Sequence, residues 1–203
     1  MLTALVLLYV GAVLAINGIW LIGQARIASR QKALRGRGEQ EVAAELEAHP
    51  TFITGREVTM INLFTGFIGL ASAVTLLVQG NGAVDLASVR VSGFILLFAF
   101  TYLWVAANQY LNAGGHAFGW YCLFVAITAV PAGIYTLSNA NGNTADIWLG
   151  IDWFAWAVLW FIFWVLLTLE RPISALAGWI ALIEGIGTAW ALGFAVLIAK
   201  LTF

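Results

Sequence analysis

Trp153, Trp156, Trp160 and Trp164 recur at steps of three, four and four residues within one apolar run. At about 100° per residue a helix gathers them into an arc of about 80°, extending about 16 Å along its axis. A row of flat rings with N–H edges suits two tasks: packing helix on helix, or walling a narrow passage that sandwiches a planar solute. Membrane proteins usually keep Trp at the two interfaces, so a line through the interior of a span calls for one of these explanations. Glu184 stands mid-way along another apolar run, with Thr188 one turn on. An ionisable group at that depth costs at least ~2.5 kcal/mol and marks a pathway or a buried partner. No Lys or Arg inside any span can pair with it, so it either carries a proton or stays wet.

Other polar and aromatic residues leave their roles open. Asn17 and Asn108 lie near the same end of their runs and suit interhelical hydrogen bonding or pore lining equally. Phe98 and Tyr102 share one helix face at i and i+4; they serve either as core or as lining. Asp146 and Asp152 read as carboxylates at the mouth of the fifth run, where water reaches them.

The elements that carry these residues are membrane spans. Hydrophobic residues make up 62% of the 203, and charged residues only 9%, against about 25% in water-soluble domains. Six runs are long enough to cross about 30 Å of hydrocarbon: Leu2–Gly23, Val58–Val78, Val91–Leu111, Phe118–Leu137, Ile147–Leu169 and Ile173–Ala199. Backbone groups in lipid must bond internally, which makes each run a helix. The first run lacks a basic leading segment and exceeds a signal-peptide core, so it reads as a retained span. The short links at 112–117 and 170–172 predict antiparallel hairpins, and the whole chain reads as three of them in succession, 1–79, 91–138 and 147–200. Weak likenesses between the even spans (Phe64-Thr-Gly66, Phe124-Val-Ala126, Leu182-Ile-Glu184) and the Asn residues of the odd ones fit such a repeat. The expected fold is therefore an all-α, six-span membrane domain over 1–203 with a loop insertion at 24–57.

Arg26, Arg30, Lys32, Arg35, Arg37, Arg56 and Arg171 fall on one side; Arg90 and Lys200 fall on the other. The positive-inside rule places the 24–57 loop in the cytoplasm and both termini outside. Within that loop, 25–35 is basic, Gly36 and Gly38 interrupt it, and 39–48 reads as an acidic helix ended by Pro50. It is either a solvated segment that serves topology or a binding site for anionic lipid or a cytoplasmic partner.

Several function classes drop out. A net charge of −1 leaves no nucleic-acid footprint. Cys122 is the single cysteine, and His49 and His116 are the only histidines, so no disulfide framework or metal cluster is expected. No nucleophile–base pair, phosphate loop or zinc motif stands in a plausible context; no enzyme and no cofactor are expected. No span carries the charges of an ion pore or voltage sensor. A path with few hydrogen-bonding groups and many aromatic walls favours a small, neutral, flat solute bearing N–H and C=O edges.

The longest motifs carry a family resemblance. Phe98-Ala-Phe-Thr-Tyr102-Leu-Trp-Val-Ala-Ala-Asn108, Trp120-Tyr-Cys-Leu-Phe-Val-Ala-Ile127 and Val130-Pro131-Ala132 resemble the urea/amide channel family, AmiS/UreI. So do Leu7-Leu-Tyr9-Val-Gly11-Ala-Val-Leu14 with Asn17-Gly18, Ala155-Trp156-Ala-Val-Leu-Trp160, and Ile183-Glu184-Gly185-Ile-Gly-Thr188-Ala189-Trp190. The resemblance runs through all six spans in order. It implies passive passage of urea and short aliphatic amides through each protomer of a six-membered ring with a lipid-plugged centre, in membranes that serve a cytoplasmic urease or amidase. It also implies pore lining by Val10, Leu14, Phe98, Tyr102, Trp153, Trp156, Trp160 and Glu184, with constrictions at Trp156 and Trp160. Asn17, Asn108 and Thr188 are secondary candidates. Trp164 matches no Trp of the family pattern and reads as packing.

Two departures stand out. An acid-gated branch of the family senses pH through His and carboxylates in its outer loops. Here the outer loops, Gly80–Arg90 and Asn139–Asp146, hold no His and only Asp85 and Asp146. No opening switch between pH 7 and 5 is expected, since His is the side chain that ordinarily titrates there. The second departure is the length of the 24–57 loop. Two rival readings remain at this point: a proton-coupled amide carrier working through Glu184, and a non-transporting membrane scaffold or sensor in which the Trp line is packing.

Overall fold

A computed structural model describes residues 1–33, 49, 52–80, 85–111 and 113–203, with the backbone alone for 32 and 33. The described residues form six helices long and apolar enough to cross a membrane. They are α1 (Leu2–Ala33), α2 (Gly55–Gln79), α3 (Leu86–Leu111), α4 (His116–Ser138), α5 (Thr144–Leu167) and α6 (Ser174–Leu197). The expected spans fall on these six, with one extension. α1 continues ten residues past Gly23, because the Gln, Arg, Ala and Ser that follow favour helix even after the apolar run ends. The acidic helix expected over 39–48 lies outside the described residues.

Local chemistry sets several helix ends. Thr54 and Glu57 form a reciprocal capping box at the start of α2, satisfying two backbone donors that the first turn leaves open. Asp85 caps α3 by accepting from the Ala87 and Ser88 amides at 3.1 Å each. Asn141 and Gly142 take positive φ between α4 and α5, and the next residue, Asn143, accepts from the Ala145 and Asp146 amides. The Asn143 side chain also donates to the Thr202 carbonyl at 2.9 Å, tying the C-terminal end to this turn.

The helices stand in a ring in chain order, each touching the next, and α6 closes the ring on α1. The broadest packing differs from the expected hairpin pairing. It joins α2 to α3, α4 to α5 and α6 to α1, rather than α1 to α2, α3 to α4 and α5 to α6. Small residues on those three seams are the cause. A Cβ on Gly18 of α1 would lie 2.6 Å from the Gly178 carbonyl of α6, and one on Gly11 would lie 2.7 Å from the Trp190 backbone nitrogen. Such contacts let backbones meet in lipid, where apolar side chains alone give little drive to associate. α2, α4 and α6 turn large apolar groups outward, among them Phe64, Phe67, Trp120, Phe124, Trp179 and Ile183. α1, α3 and α5 carry the buried Val10, Phe98 and Trp156 of the interior.

One local feature has no counterpart in the sequence reading. From Gly185 to Trp190, α6 is a π-helix, a widened turn with one residue more than an α-turn.

Candidate functional site

Two cavities lie end to end inside the ring. The wider, of about 270 Å³, opens at the face that carries both termini; it is bordered by Thr3, Val6, Val10, Arg90, Phe94, Phe98, Asp146, Trp153, Trp156 and Phe203, among others. The narrower, of about 60 Å³, lies toward the face of the 24–54 connection. Leu14, Asn17, Trp20, Thr101, Tyr102, Cys122 and Trp160 border it, again with Phe98 and Trp156. Its volume is room for roughly four water-sized spheres. Phe98 and Trp156 border both cavities and so form the septum between them.

Helical periodicity brings these walls together. α1 supplies Val10 and Leu14, α3 supplies Phe98 and Tyr102, and α5 supplies Trp153, Trp156 and Trp160, each set at i, i+3 or i+4. The Phe98 ring meets all three indoles, with centroids 5.6 Å from Trp153, 4.9 Å from Trp156 and 4.7 Å from Trp160. Trp153 and Trp156 lie edge to face at 5.3 Å. Edge-to-face pairs of this kind fix ring orientation as well as position.

Charge is confined to the wide mouth. Arg90 stacks over the Tyr135 ring at 4.3 Å and donates to its hydroxyl; Asp146 borders the same cavity. Just outside, Asp85 accepts from the Ser88 hydroxyl and from two backbone amides, and these bonds hold its carboxyl below the usual carboxylate range. No Asp, Glu, Lys, Arg or His borders the narrow cavity among the described residues. Its polar groups are neutral: Asn17, Thr101, Tyr102, Cys122 and the Trp20 indole, whose buried N–H finds no hydrogen-bond partner among the described residues.

The remaining candidates fall elsewhere. Asn17 borders the narrow cavity and also pairs across α1 and α2 with Asn62, through bonds of 3.1 and 2.8 Å. Asn108 donates to the Gly114 carbonyl at 2.8 Å in the turn after α3 and borders neither cavity. Thr188 accepts from the Trp156 indole N–H at 2.9 Å and donates to the Glu184 carbonyl. Glu184 is partly buried, with one carboxyl oxygen unpartnered, and borders neither cavity. Trp164 also borders neither cavity and packs its ring on Phe161 at 5.3 Å and Trp120 at 6.0 Å.

Asp152 requires a correction. The sequence places it in a water-accessible mouth, yet it is 2% exposed, with one carboxyl oxygen unpartnered. It lies close enough to Glu184 for the two carboxyls to act on each other electrostatically. Depth along a helix is not burial: one residue before Trp153, Asp152 is rotated about 100° away from it, toward α6.

Sequence reasoning missed Asn62, Trp20 and the π-turn. Asn62, fully buried in an apolar run, carried the same signal as Asn17 and could have been found by it. Trp20 sits two residues past Gly18 in a stretch that reads as interfacial. The π-turn leaves no periodic mark in six residues.

Comparison with known proteins gives a consistent picture. Residues 51–200 match the model of the AmiS/UreI family transporters. The chain is similar to the acid-activated urea channel of Helicobacter pylori, with 30% identity over 92% of each chain. It is 33% identical to an amidate-substrates transporter of Mycolicibacterium smegmatis over 90% of this chain and 70% of that one. The closed-state cryo-electron-microscopy structure of the Helicobacter pylori urea channel superposes with a TM-score of 0.74 at 29% identity, covering 98% of this chain and 99% of the other.

Proposed function

We propose, from the premise that this chain belongs to the AmiS/UreI transporter family, that it is a passive channel for urea and short-chain aliphatic amides. Members of the family are transporters rather than enzymes, and this multi-pass membrane protein is read as one. The observation that carries the proposal is the narrow cavity: aromatic-walled, small, and without a charged side chain among the described residues. An ion entering it would lose hydration that nothing replaces. A neutral amide loses far less, and Asn17, Tyr102 and Trp20 offer neutral hydrogen-bonding groups in return. The solute passes from the wide mouth, beside Arg90 and Asp146, through the Phe98–Trp156 septum, and along Tyr102 and Trp160 to the far side. Val10 and Leu14 form the α1 wall of this route.

The 24–57 loop is proposed to face the cytoplasm and the termini the outside of the cell membrane, on the seven-to-two distribution of Lys and Arg. Protomers are proposed to assemble as a hexamer through the apolar outer faces of α2, α4 and α6, and to supply a cytoplasmic urease or amidase. Native mass spectrometry of the detergent-extracted protein tests the stoichiometry.

Stopped-flow light scattering on proteoliposomes tests the function. Urea and acetamide should equilibrate faster than in empty vesicles, with no ion leak, and Trp160→Ala should change rate or selectivity in a protein that still assembles. Loss of assembly without any such change would favour the scaffold reading. The unpartnered oxygens of Asp152 and Glu184 support a second reading, a proton-coupled carrier. A protonophore that abolishes solute accumulation would favour that carrier over the channel.

A further inference from the structure

Trp156 is 1% exposed yet borders both cavities, so small changes in its tilt alter the septum. Phe98 meets it edge-on at 4.9 Å and 85°, and Trp153 at 5.3 Å and 79°. Neither ring constrains rotation of the indole about its own long axis as a directed bond does. That bond comes from α6, where the Thr188 hydroxyl accepts from the indole N–H at 2.9 Å. The hydroxyl has one hydrogen, and it goes to the Glu184 carbonyl. What Thr188 turns toward Trp156 is therefore a lone pair, and an indole N–H is a donor only. The polarity of the link is fixed from both ends.

The π-turn presents this hydroxyl. One inserted residue rotates everything after it by about 100°, and Thr188 lies within the insertion, Gly185–Trp190. The turn is clamped on α1: a Cβ on Gly185 would fall 2.8 Å from the Leu14 Cβ and 2.9 Å from the Gly11 carbonyl. Leu14 itself borders the narrow cavity. On the opposite side, a Cβ on Gly187 would meet nothing within 4 Å, so the bulge expands outward and leaves the inner face in register.

We propose that Thr188, presented by the π-turn of α6, is a positioning residue that fixes the Trp156 ring and thereby sets the size of solute that crosses the septum. This deepens the channel reading above and rests on it. Thr188 borders neither cavity; it acts through Trp156 alone.

The test is the ratio of propionamide to urea permeability in proteoliposomes, normalised to assembled protein. Thr188→Val, which keeps the shape and removes the acceptor, should raise the ratio about threefold to tenfold. Thr188→Ser, which keeps the acceptor, should restore it. In a Trp156→Phe background, where no N–H exists, Thr188→Val should have no further effect. Thr188→Ala serves in its place should Thr188→Val not assemble, with the same expectations. A ratio unchanged by Thr188→Val, or raised equally in the Trp156→Phe background, overturns the inference while leaving the channel intact. A wild-type protein that passes neither solute overturns the channel reading, and the inference falls with it.

Discussion

Replacing Phe98 with Ala should turn the septum into an opening. In the resting structure Phe98 lies against Trp156 at 4.9 Å and Trp160 at 4.7 Å, between the two cavities it borders. A solute that crosses must first part those rings. Breaking two aromatic pairs costs about 1–3 kcal/mol, so deleting the ring should accelerate passage about fivefold to 150-fold. The larger solute should gain more, because urea needs the smaller aperture. Stability moves the other way: all three ring contacts are lost, a cost of about 1.5–4.5 kcal/mol, so the variant should melt at a lower temperature in detergent. The assay is stopped-flow uptake of urea and propionamide at matched assembled protein. Faster passage with lower stability is the signature of a septum residue. Unchanged uptake and selectivity in a fully assembled Phe98→Ala protein would refute the reasoning and reduce the ring cluster to packing.

Further outcomes follow from the same structure. Gly18→Leu would drive its side chain into the Gly178 carbonyl, 2.6 Å from the Cβ position, and the Leu182 nitrogen, at 2.8 Å. Both are backbone atoms, so overpacking of at least ~1–3 kcal/mol is expected; size-exclusion chromatography should show lost assembly, and a wild-type profile would contradict the α1–α6 seam. Asn62→Val leaves Asn17 without its partner. A loss of about 0.6–1.7 kcal/mol is expected, read as a lower melting temperature, together with altered urea permeability because Asn17 borders the narrow cavity. At the termini face, the lowered Asp85 titration means that its contribution to the α3 cap is complete above the unfolded value of about 3.9. That contribution is lost only as pH falls through the still lower folded value. Acidification from pH 7 to 5 should leave this cap charged and urea uptake within about twofold, since no His is present in that loop to titrate; a tenfold rise would sink the expectation of an ungated pore.

The spans were legible because length and hydropathy determine them almost alone in a bilayer. The Trp line was legible because four residues at helical spacing share a face whatever the tertiary fold. Which helices pack most closely was not, since the short loops dictate antiparallel order but not contact area. That is decided by glycines such as Gly11, Gly18 and Gly178, whose facing partners lie far away in sequence. Asp152 shows the same limit: its distance from the end of α5 suggested a wet site, whereas its azimuth turns it toward α6 and Glu184. Phe98 and Tyr102, one turn apart on one face, read alike in sequence. Only the placement of α5 makes the first a septum and the second a wall.

The two sides of the Trp line have different chemistry, and the difference bears on selectivity. Trp156 commits its N–H to Thr188, so the surface it offers to the cavities is ring and not donor. The carboxyls of Asp152 and Glu184 border neither cavity. The hydrogen-bonding groups that do reach the narrow cavity come instead from α1 and α3, namely Asn17, Trp20, Thr101 and Tyr102. A flat amide lying against the indoles would therefore meet apolar surface on one side and neutral polar groups on the other. That asymmetry matches the solute, which has two π faces and a hydrogen-bonding rim. A cation would find ring faces to attract it but no carboxylate to replace its water, and an anion would find no fixed positive charge. Discrimination against ions thus follows from where the Trp line sends its donors, with no charged filter in the narrow cavity among the described residues.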